Sequence, residues 1–64
     1  MKVSNLKFDE WYWCWSKHMY LRYYGRGYNA RTLEFVDVNG DMHYFNDKQV
    51  EEEFGRWQDS PYVK

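Results

Sequence analysis

Apolar and polar positions alternate most clearly on either side of Asn39-Gly40. Arg31 to Val38 and Asp41 to Phe45 are short β-favouring runs. Asn-Gly between two such runs signals a two-residue hairpin, because a type I′ turn needs positive φ at both central residues. Such a turn sets the register: Val38 opposite Asp41, Val36 opposite His43 and Glu34 opposite Phe45. It assigns Leu33, Phe35, Met42 and Tyr44 to the core face, that face being the more apolar.

The pattern then changes to a helical period. Asn46 is a good N-cap with Gln49 three residues later, and Asp47 suits the positive end of a helix dipole. Val50, Phe54 and Trp57 recur at i, i+4 and i+7 as one apolar stripe. Glu51, Glu52 and Glu53 read as the solvated face, Gly55 weakens or ends the last turn, and Gln58 to Pro61 is a turn into a short tail.

Residues 8–24 fit two periods. Phe8, Tyr12, Trp15, Met19 and Tyr23 form a helical stripe. Asp9 and Glu10 at the start, and Lys17, His18 and Arg22 toward the end, match a helix dipole, and Gly25 and Gly27 supply a stop. Against this, Trp11, Trp13 and Trp15 alternate strictly, and aromatic residues favour strands, which implies a hairpin turning near Ser16-Lys17. The helix is the preferred reading. It predicts a single small α+β domain over residues 1–64, two-layered, in the order α-β-β-α around the central Asn-Gly hairpin. Gly25-Arg26-Gly27-Tyr28-Asn29 links its first helix to that hairpin. The alternative is a mostly-β meander of four strands plus one C-terminal helix.

Composition sharpens this. A 64-residue chain buries only about 60% of the surface its unfolded form exposes. Leu, Val and Phe number only 12, and there is no Ile, whereas there are four Trp and seven Tyr. The core is therefore expected to be aromatic, since each ring buries a large area. One cysteine excludes an internal disulfide framework. Met1 to Lys7 lacks the apolar run of a signal peptide, and Trp11 to Trp15 is far too short to span a membrane, so a cytoplasmic protein is expected. The net charge is −1. It divides into +4 over residues 1–33 and −5 over residues 34–64, which favours neutralisation across the fold.

Several constellations suggest chemistry. A helix would bring Glu10, Cys14 and His18 to one side. A nucleophile would still need an oxyanion stabiliser, and a structural zinc would need four ligands. No metal site or cofactor is expected. Asp37-Val-Asn-Gly-Asp41 superficially suggests a calcium loop, but its Gly is fourth and its twelfth position is Lys48, so a hairpin accounts for it better. The adjacent acids Asp9-Glu10 and Glu51 to Glu53 point to different sides of a helix and make no paired-carboxylate site. There is no phosphate-binding glycine loop. The chain reads as a non-enzyme.

Two surfaces remain. On the helical reading, Trp13, Lys17, Tyr20 and Tyr24 lie opposite the core stripe, exposed, with Arg22 and Arg26 as a charged rim. Trp, Tyr and Arg are enriched at binding hot spots. A non-enzymatic module that binds a protein target is therefore expected. It would act by steric occlusion, as small phage-encoded inhibitors of bacterial enzymes or defence complexes do. In size it resembles that class, anti-CRISPR proteins included, and the target could be a bacterial nucleoprotein complex. The alternative surface is Arg22, Tyr23, Tyr24, Arg26, Tyr28 and Arg31, which combines arginines for phosphate with tyrosines for stacking on unpaired bases. It implies a nucleic-acid-binding module. A third reading is a homodimeric structural protein.

Overall fold

The computed structural model describes residues 1–27, 31–56, 58 and 60–62. They form a five-stranded antiparallel sheet and one helix. The strands are β1 (Trp11–Cys14), β2 (Met19–Arg26), β3 (Leu33–Val36), β4 (Met42–Phe45) and β5 (Phe54–Arg56), with α1 (Asp47–Glu53) before β5. The spatial order is β4-β3-β2-β1-β5. The chain thus meanders through four strands, crosses with α1 and returns beside β1. This matches the mostly-β alternative, extended by one strand after the helix, and not the α-β-β-α order.

The expected first helix is a hairpin, turning at residues 15–18. Tyr12 faces Leu21 and Trp13 faces Tyr20 across it. The period-two alternation of the tryptophans carried the structural information. The charges matching a helix dipole did not, because a few tenths of a kcal/mol per charge is small against the burial of aromatic rings on a sheet. Of the expected core stripe only Tyr12 is buried, while Phe8 and Trp15 are exposed. Met19 and Tyr23 pack partly buried against the core.

The central hairpin forms with a different turn. Gly40 N–H donates to Asp37 O and Asp37 N–H to Asp41 O, both at 3.0 Å. Only Gly40 takes positive φ, +88°. This is a longer loop built on a turn over Asp37–Gly40 with a left-handed glycine at its end, in place of a two-residue I′ turn. The register consequently moves by one: Leu33 faces Phe45, Phe35 faces His43 and Val36 faces Met42. A one-residue slip reverses a strand's faces. Leu33 and Phe35 stay in the core as expected, but Phe45 joins them, and Met42 and Tyr44 turn outward.

The core lies between α1 and one face of the sheet. Tyr12, Cys14, Leu21, Leu33, Phe35, Phe45 and Phe54 meet Val50 of the helix there. Phe35 stacks on Phe54 at 4.5 Å and meets Phe45 edge-on at 5.5 Å. The capping box forms as expected: Gln49 N–H donates to Asn46 Oδ1 and Asn46 N–H to Gln49 Oε1. The helix stops at Glu53 because Phe54 turns extended and enters β5, which pairs with β1. Val50 and Phe54 of the predicted stripe are buried, and Trp57 lies outside the described residues. Gly25 and Arg26 belong to β2, not to a link. A bulge between Tyr23 and Gly25 shifts the register there, with Gly25 at φ +106°. Among the described residues no helix is long and apolar enough to cross a membrane.

Candidate functional site

Period two gives the sheet a second, outer face. One row across it is Trp11, Arg22, Val36 and Met42, contributed by β1 to β4 in turn. Beside it, Trp13 pairs with Tyr20 on one side, and Glu34 pairs with Tyr44 on the other.

The two ends of this face differ. At the β1–β5 end, Ser60 and Tyr62 close over Trp13, which is 1% exposed. Its indole meets His18 and Tyr20 at 5.1 Å and Tyr62 at 5.7 Å, all edge-to-face. The Tyr20 hydroxyl bonds the Ser60 hydroxyl, and His18 Nε2 lies 2.7 Å from the Tyr62 hydroxyl. The Trp13 Nε1–H is buried with no hydrogen-bond acceptor among the described residues. Rings packed edge-to-face around it supply only weak electrostatic compensation.

The other end is open. Trp11 is 37% exposed, Tyr44 58% and Val38 78%, and Met42 is also exposed. A cavity of about 370 Å³ lies between Glu10, Trp11, Tyr20 and Val38. A second, also about 370 Å³, shares Tyr20 and Val38 and reaches His18, Asp37 and Tyr62. The two form one aromatic groove. Its floor is held by Tyr20, and one wall is Val38 on the β3–β4 loop.

The loop is fixed by Asp37. Its Oδ1 accepts from Asn39 N–H at 2.9 Å and Asp41 N–H at 3.0 Å, and its Oδ2 lies 2.9 Å from His43 Nε2. These contacts, His43 first, hold the Asp37 carboxyl below the ordinary carboxylate range. Of the residues that suggested calcium, Asp37 thus spends both carboxylate oxygens on the turn and on His43.

The predicted site residues are only partly assembled. Trp13 and Tyr20 meet, but Trp13 is a core residue of the outer face and not an exposed anchor. The helical projection that exposed it does not apply to a strand. Tyr24 is exposed at the bulge, with its ring 5.7 Å from Phe8. Lys17 sits in the β1–β2 turn, its ammonium 5.8 Å from the Phe45 ring. Arg22 donates to Asp9 at 2.8 Å and lies 5.8 Å over Trp11, while Arg26 reaches Asp47 of α1 at 3.2 Å. Asp47 raises the Arg26 guanidinium, first by hydrogen bonding. Burial pushes the Tyr23 phenol up. Of the nucleic-acid set, Arg22, Tyr23, Tyr24 and Arg26 thus spread over both faces of β2. Arg31 is exposed beyond it, and Tyr28 lies outside the described residues.

Cys14 points into the core, with its sulfur 3.5 Å from the Ser16 hydroxyl, which in turn donates to Glu53 at 2.5 Å. His18 lies in the β1–β2 turn at φ +54° and packs against Trp13 on the opposite face of the sheet, so the turn separates it from Cys14 and the helical triplet with Glu10 does not form. Among the described residues no three His, Cys, Asp or Glu side chains cluster in a metal-binding arrangement.

Sequence reasoning missed Trp11, Val38, Met42 and Tyr44 as one surface. The alternation Trp11, Trp13, Trp15 was the available signal for Trp11. Met42 and Tyr44 depended on a register that the turn alone decides. No protein-family model, curated protein or solved structure matches this chain.

Proposed function

We propose that the protein is a non-enzymatic module that binds a protein partner through the open end of its outer sheet face and acts by occlusion. The observation that carries this reading is the set of exposed apolar side chains Trp11, Met42, Tyr44 and Val38 on the outer face. Most soluble monomers do not leave such a contiguous apolar patch uncovered unless it is used. Trp, Tyr and Met are also over-represented in protein interfaces. Arg22, positioned by Asp9, is the polar element within the patch. Such an inhibitor needs surface and not catalytic groups, and a bacterial enzyme or nucleoprotein complex remains the proposed type of target. The nucleic-acid alternative is weaker support for these residues, because Arg22 and Arg26 already meet Asp9 and Asp47.

The test is a pull-down from bacterial lysate, with and without nuclease, using the wild type, Trp11→Ala with Tyr44→Ala, and Trp13→Ala. The double variant should stay folded and lose the partner, at a cost of about 2 kcal/mol or more in binding if these are hot spots. Trp13→Ala should instead lose about 3–5 kcal/mol of folding stability. Retention by the folded double variant, or capture abolished by nuclease, would refute the reading. Sedimentation across a concentration series separates self-association from partner binding.

A further inference from the structure

Resting on the partner-binding reading, we infer that the cavity between Glu10, Trp11, Tyr20 and Val38 takes a cationic side chain, arginine or lysine, from the partner protein. Two aromatic residues, one aliphatic residue and one carboxylate residue make up the lining. Aromatic faces attract cations through the ring quadrupole, more strongly where water is partly excluded. Among the described residues, the Glu10 carboxylate makes no hydrogen bond or ion pair. It therefore supplies countercharge without first breaking a contact.

The groove as a whole has the same sign. Its second cavity adds Asp37 and contains neither lysine nor arginine in its lining. A cation entering from solvent thus meets the Glu10 carboxylate beside the rings, while both Asp37 carboxylate oxygens are already engaged by the turn N–H groups and His43. The Trp11 ring already carries one cation, the Arg22 guanidinium at 5.8 Å, and Arg22 is itself neutralised by Asp9 at 2.8 Å. The Tyr20 ring is held in place by its hydroxyl contact with Ser60 and by Trp13 behind it. The cavity is therefore preformed, which lowers the ordering cost of binding. The apolar Val38 in the lining would pack against the aliphatic stem that arginine and lysine both carry.

A different hollow adjoins this one on the far side of Glu10 and Trp11. It carries Lys7 and Arg56 in its lining and so has the wrong charge for a cation.

The experiment uses the protein alone with n-butylguanidinium chloride and its neutral isostere n-butylurea, followed by amide and indole chemical shifts. The guanidinium should bind saturably, shift Trp11, Tyr20 and Val38 together, and bind roughly fivefold or more tighter than the urea. Its affinity should fall as salt rises, and Glu10→Gln should erase the preference while leaving the spectrum otherwise intact. Equal binding of the two probes, shifts centred on Met1 and Asn5 instead, or an unchanged preference in Glu10→Gln would overturn the inference. Because the probes need no partner, the outcome is independent of the pull-down. Partner loss in Trp11→Ala with Tyr44→Ala but no cation preference sinks this inference alone. A cation preference with partner retained by that variant sinks the binding reading alone.

Discussion

Asp37 shows how one side chain can fix a surface. It accepts two backbone N–H groups and faces His43, so it holds the loop that places Val38 against the groove. These contacts favour the ionised form and depress the carboxyl below its ordinary value of 3.8. A depressed acid contributes stability that is fully present above the unfolded value and is lost as pH falls through the folded one. The difference in urea midpoint between wild type and Asp37→Asn should therefore shrink as pH falls from about 4 to about 2. A difference that stays constant over that range would show that the contacts do not favour the carboxylate. Cys14 and His18 illustrate the opposite case. Their chemistry is suggestive as residue types, but the β1–β2 turn, with His18 at φ +54°, carries the imidazole to the face opposite Cys14.

At the scale of elements, the turn decides which face β4 presents. Gly40 sits at φ +88° with nothing within 4 Å of where a Cβ would project, so a substitution there meets backbone strain and not a clash. Gly40→Val should destabilise the domain by about 1–2 kcal/mol, read from thermal or urea unfolding. An unchanged melting temperature would mean that the loop does not require the left-handed residue. The Asn46 capping box and the short helix after it were legible because capping is local: residues three apart satisfy each other's backbone groups. The β1–β2 hairpin was legible only as an alternative. Aromatic residues spaced by two, three and four occur together in residues 8–24, and both periods find matches.

At the scale of the whole molecule, the return of the chain beside β1 completes the fold. Phe54 is buried, stacks on Phe35 and lies opposite Cys14. Loss of a buried phenylalanine alone costs about 3–5 kcal/mol, comparable to the whole stability of a domain of this size. A chain ended after Glu53 should therefore be unfolded by circular dichroism and amide dispersion. A chain ended after Gln58 keeps β5 but loses Ser60 and Tyr62. It should remain folded, with Trp13 uncovered and its fluorescence shifted toward that of a solvated indole. Native dispersion in the shorter chain would show that β5 is dispensable. The uneven charge along the sequence also resolves at this scale, where Arg26 from the basic half meets Asp47 from the acidic half.

The sequence by itself determined the aromatic character of the core, the hairpin around Asn39-Gly40, the capped helix that follows and the inward direction of Leu33 and Phe35. Each depends on composition or on residues within a few positions of one another. Only the tertiary structure decided that residues 11–14 and 19–26 are strands, that β4 pairs one residue out of the simplest register, and that β5 closes on β1. Those outcomes depend on which aromatic rings bury one another across the sheet, a competition between near-equal local periods that no single segment resolves. The outer face follows from the same three outcomes. Trp11, Met42, Tyr44 and Val38 become one surface because the strands that carry them are neighbours in space and distant in the chain.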